Sequence, residues 1–100
     1  VIMKKYYVYI ITNSTRRTLY TGTASNLTKR LQQHYDHRGD QRHFSTKYHC
    51  YHLLYWKDYN SPQEAIAREK EIKGWKREKK MELIRSVNPR LEFLQIPHEC

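Results

Sequence analysis

The chain has 100 residues, 38% of them apolar and 13% aromatic, a length that suits one domain near the lower limit for a self-sufficient core. Nineteen Lys and Arg against ten Asp and Glu leave a formal charge of +9, a field that attracts a polyanion, with nucleic acid ahead of an anionic membrane surface. No apolar run approaches the ~20 residues of a spanning helix. The two cysteines, Cys50 and Cys100, form no CxxC pair, which argues against a zinc ribbon or disulfide scaffold and for a reducing, cytoplasmic compartment.

Val1 to Ile11 is apolar but alternating and tyrosine-rich, with Lys4 and Lys5 inside it, and reads as a strand rather than a signal peptide. Its core, Tyr6 to Thr12, is β-branched and aromatic. A polar turn, Asn13 to Arg17, leads to a second strand over Thr18 to Thr23. The resulting antiparallel hairpin would set Tyr7-Val8-Tyr9 beside Tyr20-Thr21-Gly22. Nine tyrosines against two phenylalanines suggest that some of them line a site, because a tyrosine fills space while keeping a hydroxyl for a partner.

Ser25 or Asn26 can cap a helix to about Tyr35, with Leu27 and Leu31 as its buried pair and Arg30 and His34 together on another face. Asp36 to His49, charged and histidine-rich with Gly39, reads as a long loop. Tyr51 to Tyr59 is a third strand, in which Leu53 and Tyr55 alternate with Leu54 and Trp56. Both faces therefore look at least partly covered, as in a central strand. Ser61-Pro62-Gln63-Glu64 opens a helix to about Lys73, with Gly74 as its stop. A last helix runs from Lys76 to about Val87, burying Met81 and Ile84, and Asn88-Pro89 ends it. The tail looks partly ordered through Leu91, Phe93 and Leu94. The expectation is one α+β domain over residues 1–100, with its core at about 4–94, in the order β-β-α-β-α-α.

Within this order, Tyr6 to His34 resembles the N-terminal half of a GIY-YIG nuclease domain, Val8-Tyr9 and Tyr20-Thr21-Gly22 standing for its two signature triplets. The stretch Glu64-Ala65-Ile66-Ala67-Arg68-Glu69-Lys70-Glu71-Ile72-Lys73-Gly74-Trp75 is similar to small, stand-alone bacterial members, which resemble the nuclease domain of the excision-repair C subunit. The triplets, the arginine, the distal glutamate and Asn88-Pro89 carry the resemblance by their order. Tyr7 stands where the first triplet has glycine, as in many stand-alone members. Ala24 stands where threonine is frequent.

The resemblance implies a three-stranded antiparallel sheet flanked by helices. It also implies divalent-metal-dependent hydrolysis of DNA phosphodiesters, structure-selective in repair or recombination. The catalytic residues fall on Tyr9, Tyr20, Arg30 and Glu69, with His34 one helical turn after the arginine and Asn88 near the end of the domain. One Mg²⁺ or Mn²⁺ held by Glu69 would polarise the phosphate and its leaving oxygen. Arg30 would present a planar fork to the developing charge. A tyrosine acting as base at neutral pH needs its pKa lowered by ~3 from its usual value. A histidine needs no such change. Tyr9 and His34 both stay open for that role. The other reading is a nucleic-acid-binding module of the same fold that cuts little or not at all.

Three glutamates compete for the metal. Glu64 suits the helix cap and Glu71 a surface ion pair. Glu69 lies beside the buried Ala65 and Ile66 positions and can face inward. Nucleic-acid contacts are expected from Arg30, from His43, Lys47 and Tyr48 in and after the loop, from Lys73, Lys76 and Arg77 in the basic stretch around Trp75, and from Asn88. The scattered histidines and Cys50 fit no four-ligand spacing, so no structural zinc is expected.

Overall fold

The computed structural model describes residues 4–36 and 50–95. Six elements follow in order: β1 (Tyr6–Thr12), β2 (Leu19–Ala24), α1 (Leu27–Asp36), β3 (His52–Tyr59), α2 (Pro62–Lys73) and α3 (Arg77–Val87). The three strands form one antiparallel sheet in the order β2-β1-β3.

The most apolar strand takes the centre. Val8 to Thr12 of β1 are almost wholly buried, because β1 has a strand on each side and helices on each face. Alternation divides its side chains. Tyr7, Tyr9 and Ile11 pack with Leu27 and Leu31 of α1, whereas Val8 and Ile10 pack with Ala65 and Ile72 of α2 and Met81 and Ile84 of α3.

The strand expected at the centre, β3, lies instead at an edge. Its two covered faces come from helices on both sides of the sheet and from a bulge. Ile10 pairs with Tyr55 and Ile11 with Leu53, leaving Leu54 as the extra residue. Leu53 consequently joins the α1 side while Leu54 and Tyr55 both join the other. The C-terminal tail then crosses this edge, Leu94 N–H donating to Leu53 O at 2.8 Å, which protects part of an otherwise open edge.

Local chemistry fixes the ends. Asn13 Oδ1 accepts from the N–H groups of Arg17 and Thr18 at 2.9 and 3.3 Å, closing the β1–β2 turn. Asn26 Oδ1 accepts from Lys29 N–H at 3.0 Å to cap α1, and Ser61 Oγ accepts from Glu64 N–H at 3.2 Å to cap α2. Gly74 does follow the last turn of α2, but at φ −79, so its stop does not use the left-handed conformation. Among the described residues no helix is long and apolar enough to cross a membrane.

Candidate active site

The hairpin register places Tyr9 opposite Gly22 and Ile11 opposite Tyr20, so both phenols rise from the face covered by α1. Tyr9 lies across Gly22: a Cβ built there would sit 2.5 Å from the Tyr9 hydroxyl oxygen. That close approach is what the glycine of the second triplet allows. The Tyr9 hydroxyl meets His34 Nε2 at 2.7 Å. The three rings form a cluster, with centroids 6.4 Å apart for Tyr9–Tyr20, 5.8 Å for Tyr9–His34 and 5.3 Å for Tyr20–His34.

Glu69 comes from the opposite side of the sheet, past the β2 edge. Its side chain is 18% exposed and pairs with Lys73 Nζ at 3.4 Å, one helical turn on. Lys73 Nζ also stands 5.8 Å from the centre of the Tyr20 ring. The two rival glutamates are placed elsewhere: Glu64 in the first turn of α2, and Glu71 on the surface in an ion pair with Arg68. Arg30 projects from α1 into solvent and is close enough to act on Tyr9 electrostatically.

Tyr9 is 1% exposed. Burial pushes its phenol well above the usual tyrosine range; Tyr20 and Glu69 add to that, and Arg30 opposes it. A phenolate base at neutral pH requires the opposite shift, so this environment does not favour Tyr9 in that role. It keeps Tyr9 protonated and hydrogen-bonded to His34, which is only half-buried.

Tyr9, Tyr20, Arg30, His34 and Glu69 thus come together at the β2 edge, with Lys73 beside them. Asn88 does not join them. It is 4% exposed, and its Nδ2 donates to Leu54 O at 3.0 Å and Glu92 O at 2.9 Å while its Oδ1 accepts from Glu92 N–H at 3.0 Å. This corrects the expected nucleic-acid contact: Asn88 ties the tail to β3, and its amide has no free group to offer a phosphate. Arg77 is exposed, but its guanidinium donates to the carbonyls of Arg17 and Arg16 at 2.5 and 2.8 Å, holding the β1–β2 turn. Lys76 is exposed at the start of α3. His43, Lys47 and Tyr48 lie outside the described residues.

Two of these relations were not drawn from the sequence, where Gly22 counted only as part of the second triplet and Lys73 only as a nucleic-acid contact. Gly22 was readable as the register partner of Tyr9, and Lys73 as the residue one turn after Glu69 on the same helical face.

Comparison with known proteins places the chain in a family. The GIY-YIG catalytic domain family matches residues 5–82. UPF0213 proteins of Staphylococcus aureus strains Mu50 and N315 are each 36% identical to the chain over 83 residues, covering 83% of this chain and 98% of theirs. The solution structure of a UPF0213 protein from Bacillus halodurans shares the fold, with a TM-score of 0.55 at 24% identity over 86% of this chain and 88% of that one. The chain belongs to the GIY-YIG family, a nuclease family whose substrates are nucleic acids.

Proposed function

We propose that the protein is a divalent-metal-dependent endonuclease that hydrolyses DNA phosphodiesters, acting on branched or flapped DNA in repair or recombination. The observation that supports this best is the convergence of two phenols, an imidazole, a guanidinium and a recessed carboxylate at one sheet edge. A binding surface has no need of a carboxylate, which repels phosphate, at the centre of such a group.

Among the described residues no three His, Cys, Asp or Glu converge into a metal cage. One recessed carboxylate fits Mg²⁺ or Mn²⁺, since such ions keep several waters and are bound through one or two carboxylates together with substrate phosphate. Glu69 is the residue that would hold the ion. When bound, it would polarise a phosphoryl oxygen and stabilise the leaving oxygen.

The remaining work falls to the chain. Arg30, exposed and planar, binds the phosphate and meets the charge that grows on its oxygens. In the tautomer whose Nε2–H donates to the Tyr9 oxygen, His34 Nδ1 is the atom that would accept the proton of the attacking water. Tyr9 orients the imidazole, and Tyr20 walls its other side. In the free protein Lys73 offsets the Glu69 charge, and near substrate it can turn to phosphate.

The test is incubation of branched, flapped, nicked and linear DNA with the protein and Mg²⁺ or Mn²⁺, beside Glu69→Ala. Cleavage by the wild type alone supports the reading. Two proteins that behave alike on every substrate while still shifting DNA on a gel would leave a binding module instead.

A further inference from the structure

Arg30 of the proposed site also lines two depressions of about 210 and 200 Å³, which share Ala24, Ser25 and Arg30. The first lies between β2 and the start of α2, with Tyr6, Ala65 and Ile66 in its lining. Ile66 is 43% exposed there. The second runs along α1 past Asn26, Lys29 and Gln33. One half of the trench is therefore apolar and the other polar and cationic, with Arg30 between them.

We propose that this trench seats the nucleotide next to the scissile phosphate on the cut strand, its base on the Tyr6–Ile66 side and its outer phosphate toward Lys29. The proposal rests on the nuclease reading and adds the path of the strand. Three observations support it. The trench is continuous with the proposed site through Arg30 itself. Its charge suits a phosphodiester: Lys29 and Arg30 line it, the first turn of α1 has no acidic residue, and Lys4 Nζ stands 5.9 Å from the ring centre of the lining residue Tyr6. Its apolar half suits the face of a base, which loses water when packed on an aromatic or aliphatic surface.

The basic stretch of α2 and α3 competes less well for this role, because four of its cations are engaged within the chain. Arg77 holds the β1–β2 turn, Lys73 pairs with Glu69, and Arg68 and Lys79 lie against the Trp75 ring at 4.9 and 4.5 Å. Ala24 is buried and lines both halves, so its small side chain keeps them joined.

Fluorescence anisotropy with a labelled flapped oligonucleotide in EDTA tests the proposal without cleavage. Ile66→Glu, Lys29→Ala and Lys57→Ala each lower the net charge by one, and Lys57 is exposed on β3, away from the trench. Ile66→Glu is expected to weaken binding about tenfold, the loss of one stacked base. Lys29→Ala should weaken it about threefold with a shallower salt dependence, and Lys57→Ala less than twofold. Ala24→Leu should also weaken binding by plugging the junction; if it does not fold, Ile66→Glu on the exposed surface remains decisive. Equal effects of Ile66→Glu and Lys57→Ala would overturn the trench. The two readings fail separately: wild-type cleavage by Ile66→Glu removes the trench and spares the nuclease, while trench-dependent binding without cleavage does the reverse.

Discussion

Tyr9 shows how one side chain links packing to chemistry. It is buried against α1, lies across a glycine and holds the imidazole of His34. Gly22→Ala inserts a methyl group where the phenol passes, and the ring is too enclosed to move without repacking. We expect a loss of about 1–3 kcal/mol in urea unfolding, the usual cost of overpacking a core. Cleavage should fall at least about tenfold, because the Tyr9–His34 contact is displaced and general base catalysis contributes roughly that much or more. Wild-type stability together with wild-type cleavage would show that Tyr9 does not need this clearance. The two triplets were legible in the sequence as neighbours. The crossing of Tyr9 over Gly22 was not, because it depends on the direction of a side chain that alternation alone leaves open.

At the scale of elements, strand and helix positions were readable because apolar spacing and caps act locally. Asn26, Ser61 and the Leu27–Leu31 pair did in the structure what those rules require. Strand order was not readable. Leu53 to Trp56 carries a continuous apolar run that suits a central strand, but the run reflects a bulge at Leu54 and helices on both faces of an edge strand. The intrachain partners of Asn88 and Arg77 were not readable for a related reason. The type and position of these two residues suited a phosphate contact, while their partners, Leu54, Glu92, Arg16 and Arg17, are brought near only by the fold. Asn88→Ala therefore tests a structural role. It should destabilise the protein by roughly 2–3 kcal/mol, since it removes a buried hydrogen bond to Leu54 O and frees the tail. Oligonucleotide affinity of the folded protein should stay within about twofold. A large loss of affinity with unchanged stability would restore Asn88 to the binding surface.

Over the whole molecule, burial sets the pH range of stability. Tyr9 and Tyr55 are pushed above the usual tyrosine range, and Cys50 from 9.0 to about 11, each chiefly by burial. The unfolded chain ionises these groups first, so above about pH 9 it binds fewer protons than the native state and stability falls as pH rises. His52 is held below the usual histidine range by burial and then by Arg16. On the acid side the unfolded chain protonates first, and stability falls below about pH 6.5. The urea midpoint should therefore be highest between about pH 7 and 9. In Tyr9→Phe the alkaline limb should be shallower by up to about 1.4 kcal/mol per pH unit. A wild-type midpoint that is level through pH 11 would contradict the burial argument.

The +9 charge favours nucleic-acid binding whether or not the protein cuts, so binding alone does not distinguish a nuclease. The carboxylate of Glu69 does. Single-turnover cleavage of a flapped duplex with Mg²⁺ should be compared between the wild type and Glu69→Gln, with oligonucleotide affinity measured in parallel. Cleavage by Glu69→Gln should be lowered by at least about a hundredfold, the scale of losing a principal electrostatic group, with affinity unchanged or higher as a negative charge leaves the site. Equal cleavage by the two proteins, or none by either on any substrate, would contradict the nuclease reading.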